Sequence, residues 1–423
     1  MNRGRLQLVL YAIFLLVIAG IIVALRSVEM LAFGAFIIAL GTLIFKDRSK
    51  VRFEGLAFIR RTDRANRFID QTAKRHPTFW RTLSIAGIVV AIPVMAIGSV
   101  YMLVTAVDVA TGRLATGGAG IVLPGPVSAP FAAPGVFVVP WWIWIIGIAC
   151  VIIPHEFFHG IMFRLQHIRV KSVGWVVFLV LPGAFVEPDD NQLKRSARST
   201  KLKAFAAGSF ANLLIAFIIA VALSIGTMAA PASDQAGIFF QQVEDSPAAQ
   251  YNITGAITAL NGVPVHTQAE LGAQLERYAP GDTVTVTTRS IEGNASVKFT
   301  GAYDFIIPAA GVYARLGQEK NYVVALAAHP QTGDAFLGVT NVLQVHSTDG
   351  GLAPEFINLL VWIYVFSFGI GLVNLLPLKP LDGGLLFEEI IQPYTRHTKT
   401  IVRTVSVAML LLLLFNIFGV FFI

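Results

Sequence analysis

Apolar residues in this chain fall in long blocks, not in the stripes of a surface helix. Stretches at about 6–25, 29–45, 82–107, 136–163, 204–230, 356–378 and 404–423 approach or exceed the roughly 20 residues a helix needs to cross a bilayer. An eighth, SVGWVVFLVLPGAFV at 172–186, is short for a span and contains Pro182-Gly183, so it is expected to be re-entrant or interfacial. Between 231 and 355 the pattern changes to short alternating runs broken by Gly and Pro, with a helix expected near 268–279 and a strand at 283–288. The predicted fold is a polytopic α-helical membrane protein of about seven spans and one re-entrant or interfacial segment, carrying an extramembrane α+β domain. Its expected parts are 1–81 (a transmembrane hairpin and a basic loop), 82–230 (first half of a membrane core), 231–355 (the α+β region) and 356–423 (second half of the core).

Composition supports a membrane protein and charge orients it. Hydrophobic residues make up 55% of the 423 and charged residues 13%, against about 25% charged in ordinary soluble domains. Residues 46–81 hold 11 Lys/Arg against 4 Asp/Glu, and 231–355 hold 5 against 12. A basic loop between spans reports topology before it reports nucleic acid, and the positive-inside rule places 46–81, 164–203 and 396–399 in the cytoplasm. The acidic 231–355 region is then extracytoplasmic, and no nucleic-acid partner is expected. The first apolar stretch lacks a small-residue cleavage site and is not read as a signal peptide. The single cysteine, Cys150, leaves no disulfide framework and no cysteine metal site.

The chemistry is concentrated in His155-Glu156-Phe157-Phe158-His159, inside the fourth apolar block. Histidines four apart share one helix face and can ligate one zinc ion, while Glu156 beside them can serve as general base. Ionisable side chains inside a span are costly and are functional candidates by default. Arg164 lies nine residues beyond His155, which puts the pair roughly 13 Å inside the cytoplasmic boundary on a helix. A third ligand is needed, and Asp382 in NLLPLKPLDGG (Asn374 to Gly384) lies at the matching end of another span. Glu187, Glu388 and Glu389 are rival carboxylates.

These stretches together resemble the site-2 protease family of intramembrane zinc metalloproteases. The resemblance rests on His155, Glu156 and His159, on Asn374, Pro377, Leu381, Asp382 and Gly383, and on Gly208-Ser209-Phe210-Ala211-Asn212, which matches G-x-x-x-N. It covers about 136–230 and 356–390. It implies one Zn²⁺ per chain held by His155, His159 and Asp382, catalysis by Glu156, and support or substrate contact from Asn374, Pro377, Asn212 and Gly208. It further implies cleavage of single-span or stub membrane proteins in the bilayer of the cell membrane, during regulated intramembrane proteolysis, with an upstream site-1-type protease as partner. Residues 236–289 resemble a PDZ domain through Ser246-Pro247-Ala248, Gly255, Ile257, Leu260-Asn261-Gly262 and Pro264-Val265, although Ala256 replaces the usual Asp. The alternatives are a catalytically silent membrane scaffold, which has no need of the intact ligand set, and a transporter, which has no need of H-E-x-x-H.

Overall fold

The computed structural model describes residues 28–46, 51–54, 57–62, 64–114, 118–125, 136–178, 181–229, 235–292, 311–330, 332–347 and 354–422. The expected span at 6–25 lies outside the described residues. Two compact units emerge, one comprising residues 1–216 and 365–423 and the other Phe217–Tyr364.

The described residues begin with α1 (Val28–Lys46), followed by two short strands, β1 (Val51–Glu54) and β2 (Ala57–Thr62). Helix α2 (Arg64–Arg75) is amphipathic and leads at Pro77 into α3 (Pro77–Ala110). Strands β3 (Ile121–Gly125) and β4 (Val136–Pro140) pair in parallel. The expected span at 136–163 therefore starts later, as α4 (Trp141–Leu165), because Pro140 ends the extended segment and fixes the helix entry. Then come β5 (Val170–Phe178), β6 (Leu181–Pro188), α5 (Asp190–Arg195) and α6 (Arg198–Ala229). Among the described residues five helices are long and apolar enough to cross a membrane: Pro77–Ala110, Trp141–Leu165, Arg198–Leu223, Phe356–Leu375 and Thr398–Phe421.

The 172–186 segment forms antiparallel strands in a four-stranded sheet of order β1-β2-β5-β6. Its backbone groups are thus paired in a sheet, which is how an apolar stretch too short to span satisfies them. The basic 46–81 stretch is likewise not a plain loop. β2 pairs with β5 from Thr62↔Val173 to Ala57↔Phe178, and α2 buries Ile69 and Ala73 against Ile161, Met162 and Ala207. Gly160 of α4 lets Ile69 approach, since a Cβ there would meet the Ile69 side chain.

The second unit carries β7 (Gln235–Gln242), β8 (Ala256–Leu260), β9 (Val263–Pro264), α7 (Gln268–Leu275), β10 (Thr283–Glu292), β11 (Gly311–Ala325) and β12 (Val339–Ser347). The strand order is β10-β11-β12-β7-β8-β9, and β10 also pairs with β8, so five strands close on one another. Its core contains Ile238, Ile257, Leu260, Leu271, Val286 and Val324. The helix and strand expected at 268–279 and 283–288 are present, the helix ending at Leu275 and the strand continuing to Glu292.

The chain returns through α8 (Pro354–Leu375), then α9 (Asp382–Ile391) and α10 (Thr398–Phe418). Between α8 and α9 the backbone reverses sharply. A Cβ on Gly383 would overlap the Leu375 and Leu376 backbone, and one on Gly384 the Leu378 and Lys379 backbone. The two glycines allow α9 to double back against the end of α8. Ser406 of α10 steadies the turn, donating to the Pro377 carbonyl at 3.4 Å and accepting from the Lys379 amide at 3.1 Å.

Candidate metal centre

His155 and His159 lie one turn apart on α4, each 8% exposed. Asp382, the first residue of α9, meets them from the other side of the chain. A carboxylate at a helix N-terminus is favoured by the free amides and dipole there. The three ligating atoms form a nearly equilateral triangle: His155 Nε2 to Asp382 Oδ2 is 3.3 Å, His159 Nε2 to the same oxygen 3.2 Å, and the two Nε2 atoms are 3.3 Å apart. Tetrahedral zinc with ligands at about 2.0–2.1 Å places its donors roughly 3.3 Å apart. The donor set and its spacing therefore fit the ion.

The ring orientations fit as well. His159 Nδ1 lies 2.8 Å from the Ala204 carbonyl of α6. A carbonyl only accepts, so Nδ1 carries the proton and Nε2 keeps its lone pair for a metal. His155 Nδ1 lies 3.1 Å from the Asn212 amide, while Asn212 Oδ1 is buried without a partner among the described residues. Turning the amide brings Oδ1 to Nδ1–H, satisfies the orphan oxygen and frees Nε2 of His155 for the ion. Ser209 Oγ donates to Asp382 Oδ2 at 3.0 Å and is fully buried. Gly208 packs directly over the pair, where a Cβ would collide with His159 Nε2 and lie against the His155 ring.

Glu156 is half-buried, and its Oε2 accepts from the Val186 amide of β6 at 2.9 Å. Because β6 is the last strand of its sheet, that amide ties the carboxylate to the sheet's edge. Of the other expected residues, Gly208 and Asn212 touch the histidines, whereas Asn374 and Pro377 share no hydrogen bond with the triangle among the described residues. Asn374 is half-buried in the last turn of α8, and Pro377 is engaged by Ser406. The rival carboxylates are bound elsewhere, Glu187 by Ser172 and Arg61, Glu388 by Lys379, and Glu389 by Lys201 at 3.1 Å. Sequence reasoning missed Ser209 and Ala204. Ser209 carried a signal, a hydroxyl beside Gly208 in the G-x-x-x-N pentad, whereas a backbone carbonyl such as that of Ala204 carries none.

The model of peptidase family M50 matches residues 143–413, a stretch holding all three candidate ligands and Glu156. The chain is 27% identical over 278 residues to the zinc metalloprotease RasP of Bacillus licheniformis, covering 59% of this chain and 66% of RasP. It is 25% identical over 333 residues to an uncharacterized protein of Methanocaldococcus jannaschii, covering 78% of this chain and 76% of that protein. The chain thus spans about two thirds of the length of RasP. With a family model matching well over half of its residues, this chain belongs to peptidase family M50, a family of membrane metalloproteases.

Proposed function

We propose that this family M50 member is a zinc-dependent intramembrane endopeptidase of the site-2 type, cleaving transmembrane segments of stub membrane proteins in regulated intramembrane proteolysis. The observation that carries this reading is the triangle of His155 Nε2, His159 Nε2 and Asp382 Oδ2, with the Glu156 carboxylate beside it on the same helix. The chemistry supplied by a bound zinc is Lewis acidity toward the scissile carbonyl and toward water. His155, His159 and Asp382 hold the ion, and the Ala204 carbonyl and Asn212 amide fix the imidazoles. Glu156 takes the proton of the attacking water and returns it to the leaving amine.

A helical substrate hides its carbonyls in i to i−4 hydrogen bonds and must unwind before attack. The outer side of β6 offers an edge for an unwound segment by strand addition, and Asn374 can donate to the same backbone. The active site then sits nearer the cytoplasmic side of the cell membrane. The 231–355 region is extracytoplasmic and PDZ-like, and admits substrates already shortened by an upstream site-1-type protease. RasP, itself a zinc metalloprotease by name, supports the metal and the reaction class.

Metal analysis of the purified full chain tests this before any substrate is known. About one zinc per chain is expected, lost in His155→Ala and in Asp382→Ala. In Glu156→Gln the zinc should remain, while cleavage of a single-span reporter stub falls by about 10²–10⁴. Zinc retained at full stoichiometry in Asp382→Ala overturns the ligand set, and a wild type that never takes up zinc points to the silent scaffold.

A further inference from the structure

A cavity of about 480 Å³ opens at the C-terminal end of α4, lined by Asp70, Lys74, Arg81, Arg164, His167 and Arg169 among others. Separate pieces of chain bring these groups together: the end of α2, the start of α3, the last turn of α4 and the turn that follows it. That turn passes through His167 at φ 61°, and the Ile168 amide closes the helix on the Phe163 carbonyl at 2.8 Å.

The cavity carries an excess of positive charge. Its one acid, Asp70, is taken by Arg164 at 2.7 Å. Nearby acids are also engaged, Asp189 capping α5 through the Asn191 and Gln192 amides and Asp190 facing Lys171 at 3.9 Å. Lys74, Arg81 and Arg169 are exposed and have no ion-pair partner among the described residues. Three exposed cations around one concavity repel each other and focus a field that attracts an anion. The wall at Pro77 adds the N-terminus of a 34-residue helix, whose free amides also favour an anion.

The ligand's source follows from the surroundings. Helix α3 begins its apolar span at Pro77, and Phe68 of α2 and Phe79 of α3, which do not line the cavity, are 61% and 56% exposed. Exposed aromatic rings next to cationic side chains at the start of a span are features of a membrane interface. Half-buried Leu165 gives the wall an apolar patch for the first carbons below a headgroup. We propose that this cavity binds the phosphate of an anionic phospholipid headgroup, held by Lys74, Arg81 and Arg169, against the last turn of the helix that carries His155 and His159.

The test uses the purified full chain in neutral micelles, titrated separately with phosphatidylglycerol, phosphatidylcholine and inorganic phosphate, with bound ligand counted by native mass spectrometry. One variant combines Lys74→Gln, Arg81→Gln and Arg169→Gln. A control removes equal charge at exposed sites elsewhere, Arg396→Gln, Lys399→Gln and Arg403→Gln. Saturable binding of phosphatidylglycerol is expected, weakened at least about tenfold in the cavity variant and little changed in the control. Equal loss in the control, or full binding by the cavity variant, overturns the site. Inorganic phosphate binding as tightly as phosphatidylglycerol overturns the lipid assignment, as does equal binding of phosphatidylcholine.

Discussion

Gly208 shows how little room the His155, His159 and Asp382 cluster leaves. Its α-carbon faces both imidazoles, and a methyl there occupies the space of the His159 Nε2 atom. Gly208→Ala is expected to weaken zinc binding by at least about tenfold, the cost typical of disturbing groups that orient a metal's ligands. A chelator-competition titration reads this, and wild-type affinity would mean that α6 is not fixed against α4. Ser209→Ala removes the hydroxyl bond to Asp382 Oδ2. Because a hydrogen bond to a charged group contributes about 1.5–3 kcal/mol, tenfold or more in zinc affinity should go with it. An unchanged affinity would leave Ser209 as packing alone. The three groups that the structure brings together were legible as candidate ligands, His155 and His159 from helical period and Asp382 from its Pro- and Gly-marked turn. Ala204 was not legible because its contribution is a carbonyl, aimed only once α6 has packed on α4.

At the scale of elements, the sheet β1-β2-β5-β6 links the N-terminal basic stretch to the Glu156 carboxylate. Its strands were hard to read for opposite reasons. β1 and β2 are short and rich in arginine, so charge dominates the pattern and predicts a loop. β5 and β6 are nearly continuous apolar residues, so period-2 alternation is invisible and length predicts a re-entrant or interfacial segment. Gly174 of β5 lies between β2 and β6, where a Cβ would strike the Arg60 carbonyl and the Phe185 ring. Gly174→Val forces strands apart, an overpacking cost of about 1–3 kcal/mol, and shifts Val186 under Glu156. The expected outcome is retained zinc with turnover of a reporter stub reduced about tenfold or more. Loss of zinc together with activity would show that the sheet supports the ligands as well as the base.

For the whole molecule, the two units have separable cores. The buried clusters around Ile69, Ala91, Phe163 and Met102 contain no residue of 231–355, and the cluster around Ile238, Ile257 and Val324 lies wholly inside that range. The change of pattern at 231–355 was legible because it follows hydropathy and charge. The closing of β10 onto β8 was not, because pairings between distant strands leave no local period. Separable cores make the gate reading testable by removal. A chain in which a short Gly/Ser linker replaces residues 236–350 should still fold its helices, bind zinc and cleave a minimal stub at close to the wild-type rate. If the extramembrane unit excludes proteins that keep a bulky outer part, the shortened chain should also cleave an uncut single-span substrate that the full chain leaves intact. Paired digests of stub and uncut reporters, with zinc content measured on the same preparations, separate the outcomes. Unchanged selectivity at full zinc occupancy would remove the gate and leave the acidic unit a different role. Loss of stub cleavage at full occupancy would instead make the unit part of substrate delivery to the edge of β6.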